Sequence, residues 1–181
     1  MGGTSAASIG RPLPSVRGRA LGEEVELFLS TYVNKVDRKG RVSVPATFRA
    51  KLINQRFQGI VAFPSYKYPA LDASGIDRME ELTARLDRLE EFSDEQENLA
   101  VLLFGAAQQL PFDTEGRIVL PENLAEHAGI TDSAAFVGLG KSFQIWEPAR
   151  FAEHQAALRE RARRQGTKVP PLGGIAERRP E

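Results

Sequence analysis

The sequence has no cysteine, two histidines, one tryptophan and no net charge. Without cysteine there is neither a disulfide framework nor a thiolate metal site, and the chain suits a reducing compartment. His127 and His154 each lack a second ligand at metal spacing, so no metal is expected. No apolar run approaches the roughly 18 residues that cross a bilayer. The first 26 residues also lack the apolar stretch of about 7–15 residues that a signal peptide needs. Gly140-Lys141-Ser142 is similar to the end of a phosphate-binding loop, but that motif requires glycine where Ala135 stands. No serine lies in a G-x-S-x-G elbow. The expectation is a cytoplasmic protein with no membrane span, no enzymatic activity, no cofactor and no small-molecule substrate.

What is present is unevenly spread. Hydrophobic residues make up 41% and charged residues 27%, the balance of a globular chain. Between Lys35 and Lys51 six bases (Lys35, Arg38, Lys39, Arg41, Arg49, Lys51) face one acid, Asp37. Between Phe112 and Glu126 one base, Arg117, faces Asp113, Glu115, Glu122 and Glu126. A polyanion is steered by local field rather than by net charge, so neutrality of the whole does not exclude nucleic acid.

The sequence also repeats. Val36-Asp37-Arg38-Lys39-Gly40-Arg41-Val42-Ser43-Val44-Pro45 matches Phe112-Asp113-Thr114-Glu115-Gly116-Arg117-Ile118-Val119-Leu120-Pro121 at an offset of 76 residues. At the same offset Ile60 to Phe63 falls on Phe136 to Leu139, another apolar run. Two copies are too few for a solenoid, so a pair of half-domains completing one core is expected. In each copy the aspartate can bond nearby amides, and the glycine supplies the left-handed backbone of a tight turn. Val42 and Val44 then share one strand face, with Arg41 and Ser43 on the other. Pro45 ends the strand and opens a short helix, Ala46 to Leu52, while Pro121 opens one through Ala128 that stops at Gly129.

Between the copies a helix is expected over Gly75 to Glu91, with Ile76, Met79, Leu82, Leu86 and Leu89 in an apolar stripe. Another runs from Ser93, with Gln96 completing a capping box, to about Phe104, burying Leu99, Leu102 and Leu103. A last helix follows Pro148, carrying Phe151, Ala152, Gln155 and Leu158, and fades into Arg161, Arg163 and Arg164, bases suited to a solvated helix end. The expected organisation is an arm (1–26), a first repeat (27–73), connecting helices (74–105), a second repeat (106–149), a C-terminal helix (150–165) and a disordered tail (166–181). The arm is read either as disordered or as the product of an upstream start codon, with the native protein beginning near Val25 or Leu27.

The stretch Phe28 to Arg49, the two D-x-x-G-R turns, and Gly140 with Phe143-Gln144-Ile145-Trp146 resemble the MraZ family of AbrB-like transcriptional regulators, over about Phe28 to Arg164. That resemblance implies an α+β fold in which two repeats form a swapped-hairpin AbrB-like β-barrel with additional helices. It implies a nucleoid-associated, ring-shaped homo-oligomer that binds double-stranded DNA at short direct repeats upstream of the division and cell-wall gene cluster. It maps DNA contact onto Arg38, Lys39 and Arg41, and onto Arg117 in the second copy, with Lys35 and Arg49 as basic neighbours. The second turn has Thr114 and Glu115 where the first has Arg38 and Lys39, so the first is expected to touch DNA and Arg117 to be mainly structural. Arg41 has two readings: contact with a base edge or phosphate, or an ion pair with Asp37 that shapes the turn. The alternative function is an AbrB-like interaction or scaffold module without specific DNA binding.

Overall fold

Two prolines punctuate the chain. Strand β1 (Thr31–Lys35) turns tightly into β2 (Arg41–Ser43), and Pro45 caps helix α1 (Ala46–Leu52), its carbonyl accepting the Phe48 and Arg49 amides at 2.9 Å. The order returns as β5 (Gln108–Pro111), β6 (Arg117–Val119), Pro121 and α4 (Glu122–Ala128). Proline suits these junctions because it cannot donate to a strand ladder and a helix start needs no donor there. Each short helix leads into a strand pair, β3 (Gly59–Pro64) and β4 (Ala70–Ser74) first, then β7 (Ser133–Gly138) and β8 (Phe143–Trp146). Helices α2 (Ile76–Leu86) and α3 (Asp94–Ala100) and a π-helical turn (Val101–Gly105) lie between, and α5 (Pro148–Gln165) follows β8. This computed structural model describes residues 27–89 and 93–166.

The architecture is α+β. Six strands form an antiparallel sheet in the order β1-β7-β8-β4-β3-β5, while β2 and β6 pair separately as a two-stranded ribbon. β1 and β5 are the sheet's edges, so the described strands do not close into one hydrogen-bonded barrel. In the ribbon Arg41 faces Val119, Val42 faces Ile118 and Ser43 faces Arg117. At the sheet's centre Asp72 faces Gln144.

The strand match differs from the 76-residue offset. Lys35 lies opposite Ser133, whereas Pro111, at Lys35's place in the second copy, lies opposite Gly59. Gly59 therefore answers to Ser133, a slip of two residues absorbed by the loops: 53–58 after α1 against 129–132 after α4. Leu139, placed in an apolar strand run by the offset, lies beyond β7 and is exposed.

Three layers result. The main core lies between one sheet face and the ribbon with α1 and α4, uniting Val42, Phe48, Leu52, Ile118, Leu124, Phe136, Phe143 and Ile145. Phe28 packs its ring on Phe48 and Phe143 at 5.1 and 4.9 Å. The other sheet face is covered by α5, through Phe151 and His154 on Trp146, and by α2 with the π-helical turn over Val61 and Phe63. Both faces being covered explains why β3 and β7 read as continuous apolar runs.

Some expectations change. Met79 and Leu86 are buried and Ile76 and Leu82 half-buried as a stripe requires, but the helix ends at Leu86, short of the expected Glu91. Leu89 lies half-buried in a bend beyond it, and residues 90 and 91 lie outside the described ones. The helix from Ser93 widens after Ala100, which brings the adjacent Leu103 and Phe104 together onto the sheet and turns Leu102 outward, exposed. Ser93 Oγ accepts the Gln96 amide at 3.2 Å, one half of the capping box. Helix α5 buries no residue fully, and Leu158 is exposed. The arm (1–26) and the tail from residue 167 lie outside the described residues. No helix among the described residues is long and apolar enough to cross a membrane.

Candidate nucleic-acid interface

The two D-x-x-G-R turns are built alike from their aspartates. Asp37 Oδ1 accepts the amides of Lys39 and Arg41 at 2.9 Å each, and Oδ2 accepts Arg41 Nε at 2.7 Å with Nη2 at 2.6 Å. Asp113 holds the amides of Glu115 and Arg117 at 2.9 Å each, and Arg117 Nε at 2.7 Å. The Arg41 and Arg117 amides, as hydrogen-bond donors, hold both carboxyls below the ordinary aspartate range, with the paired guanidinium reinforcing each. The left-handed turn positions are Gly40 (φ 73°) and Gly116 (φ 74°).

Each turn is also gripped by the opposite strand. The Gly40 carbonyl accepts the Leu120 amide at 2.8 Å, and the Gly116 carbonyl accepts the Val44 amide at 3.1 Å. Both turns thus belong to one rigid ribbon, tied to β1 where Asn34 donates to the Ser43 carbonyl at 2.7 Å. Arg41, Ser43, Arg117 and Val119 occupy its outward face, because Val42 and Ile118 point into the core.

The predicted contact residues fall into three groups. Lys35, Arg38 and Lys39 are exposed, and none makes an ion pair among the described residues. Arg41 is bound to Asp37, and this pairing leaves N–H groups of the fork for another acceptor. Arg49 is placed apart: its Nε donates to the Val44 carbonyl at 3.1 Å and its guanidinium lies over Gly116, so α1 braces the second turn. Lys51 is half-buried on α1.

Arg117 differs from Arg41 in one respect. Besides Asp113 it pairs through Nη1 with Glu115 Oε2 at 2.7 Å. The Asp113 hydrogen bond raises its pKa first, with the charges of Asp113, Glu115 and, across the ribbon, Asp37 adding to it. Sequence reasoning noted Glu115 as an acid in Lys39's place but missed that it caps Arg117. The exchange of glycine carbonyls between turns had no signal in the sequence, since backbone groups carry none.

Fold and site together define an α+β protein that carries paired aspartate-clamped, arginine-bearing turns on one ribbon, only one of them basic. Known proteins are similar to this chain in sequence. The model of the MraZ protein family, described as antitoxin-like, matches residues 103–168. Proteins named transcriptional regulator MraZ are similar over most of their length. That of Rickettsia akari (strain Hartford) is 43% identical over 141 residues, 78% of this chain and 95% of the relative. That of Rickettsia canadensis (strain McKiel) is 45% identical over 130 residues, 72% and 87%. That of Rickettsia bellii (strain OSU 85-389) is 42% identical over 139 residues, 76% and 93%. The chain belongs to the MraZ family.

Proposed function

We propose that this chain is a DNA-binding transcriptional regulator that grips double-stranded DNA with its first D-x-x-G-R turn. The observation that carries this reading is that Arg38 and Lys39, on a turn whose shape Asp37 fixes, and Lys35, at the end of β1 just before it, are exposed and without ion pairs among the described residues. Bases on a preorganised loop neutralise phosphates with little further ordering cost. Arg41, held by Asp37, offers its remaining N–H groups to a phosphate or base edge. Arg49 and Arg117 act mainly by holding the ribbon in place.

The reading extends to the assembly. The chain forms a swapped-hairpin, AbrB-like unit from its two repeats, a reading supported by the reciprocal ribbon register and the matching order of β1-β2-α1 and β5-β6-α4. Such units join into a nucleoid-associated ring in the cytoplasm and bind short direct repeats upstream of the division and cell-wall gene cluster. The family description and the acidic second turn favour one competing reading, an interaction module for a basic protein partner.

The test is fluorescence anisotropy on the DNA upstream of the protein's own gene, wild type beside Arg38→Ala/Lys39→Ala, across a salt series. The expected result is tight, repeat-dependent binding by the wild type. In the variant the log–log salt slope should lessen by about 0.9 for each phosphate that is no longer neutralised. A folded wild type that holds this DNA no better than an unrelated duplex would turn the assignment to the interaction module.

A further inference from the structure

The two turns share a backbone and a ribbon but not a charge. From 37 to 41 three bases stand with one acid, whereas from 113 to 117 one base stands with two acids. Of the six lysines and arginines of the first copy, only Arg41 has a lysine or arginine counterpart, Arg117; Lys35, Arg38, Lys39, Arg49 and Lys51 give way to Pro111, Thr114, Glu115, Ala125 and His127. The surviving arginine is clamped on both sides, by Asp113 at 2.7 Å and by Glu115 at 2.7 Å. Arg41 has no counterpart to the second clamp, because Lys39 stands where Glu115 does. Glu115 is mostly exposed, with 65% of its side chain accessible, so no packing requirement explains an acid there.

We propose that Glu115 is a specificity-determining residue that silences the second turn toward DNA, so that each protomer grips the duplex from one side and reads it with a direction. This deepens the proposed DNA-binding role and rests on it. A ribbon with Arg41 opposite Val119 and Arg117 opposite Ser43 would, with both turns basic, present two equivalent grips related by a local dyad. Duplex DNA has the same local dyad in its backbone, and a symmetric grip would bind a site in either orientation. A carboxylate on Arg117 Nη1 takes one arm of the fork and adds a negative charge that repels phosphate from that turn, leaving the grip polar. Polar subunits suit direct repeats, where every site points the same way.

The test compares the full chain with Glu115→Gln, with Thr114→Arg/Glu115→Lys, and with Glu126→Gln, which removes the same charge from an exposed position on α4. The double variant copies residues that the first turn already holds in this geometry, and Glu115→Gln keeps the side chain's shape. Binding to a single repeat is measured against salt, and phosphate protection is mapped by hydroxyl-radical footprinting. Glu115→Gln should steepen the salt slope by about 0.9 and the double variant by about 2 to 3. Both should show a second protected phosphate cluster on the far side of the repeat, and Glu126→Gln should show none. Unchanged footprints, or equal effects of Glu115→Gln and Glu126→Gln, would overturn the role of Glu115 while wild-type binding upheld the DNA reading. Failure of the wild type to bind the repeat would overturn both.

Discussion

Asp37 and Asp113 each hold two backbone amides and one guanidinium, so each turn depends on a single ionised carboxylate. Their folded pKa values lie below the ordinary 3.8, chiefly because the Arg41 and Arg117 amides donate to the charged form. A depressed carboxyl contributes stability that is fully present above the unfolded value and is lost as pH falls through the folded one. Melting temperature should therefore be insensitive to these groups from neutral pH down to about 5 and should drop below about 4. In Asp37→Asn/Asp113→Asn the neutral-pH melt should be lower and the acid limb flatter. An unchanged acid limb in that variant would mean that the two carboxylates do not set the acid response. The glycines that complete the turns are equally exacting. Gly40→Ala places an L side chain at φ 73° with its Cβ 3.1 Å from the Leu120 carbonyl oxygen, which is itself backbone. A loss of about 1–2 kcal/mol is expected in urea unfolding, the cost of a left-handed L residue.

At the scale of elements, α1 and α4 are only seven residues long, too short to be stable alone. They persist because each plugs the core with an apolar face, and in α1 that plug is Phe48, wholly buried against the rings of Phe28, Tyr32 and Phe143. Phe48→Ala should cost about 3–5 kcal/mol in urea unfolding, the range for a large aromatic removed from a close-packed core. A loss under about 1 kcal/mol would mean that α1 is not anchored by this ring. Much of this level could be read beforehand. The turn chemistry, the two prolines and the 3.6-residue stripe of α2 are local signals, and the turns and helix starts stand where those signals put them, although α2 ends at Leu86 rather than Glu91. The register of β3 against β7 was not readable from pattern. A slip of two residues keeps every side chain on its own face, so alternation cannot detect it. Nor did periodicity reveal the π-helical turn, because widening the helix by one residue rephases Leu102, Leu103 and Phe104 relative to an ideal stripe. For the site, residue types showed where charge gathers, but they did not show that Arg49 is taken up in bracing Gly116 or that Glu115 closes on Arg117.

For the whole molecule, the decisive quantity is how weakly a single protomer should hold DNA. In the proposed reading one turn supplies a handful of phosphate contacts, and the rest of the chain balances that charge to a net of zero. A lone protomer is thus limited to the affinity of a small patch. Linking several identical patches makes each binding event after the first intramolecular, which raises avidity by about 10² to 10⁴ when the spacing of sites matches that of subunits. The proposed ring supplies that linkage, and its rotation relates polar subunits in one sense, as direct repeats require. Affinity for an array of evenly spaced repeats should then exceed affinity for one repeat by at least about a hundredfold. Inserting half a helical turn, about 5 base pairs, between repeats should remove most of that advantage, because neighbouring sites would face opposite sides of the duplex. The measurement is anisotropy on one-repeat, array and phase-shifted duplexes, with sedimentation at the same protein concentrations to fix the number of subunits. If a dilute monomer holds one repeat as tightly as the assembly holds the array, linkage contributes nothing. Recognition would then have to reside in base contacts made by the first turn alone.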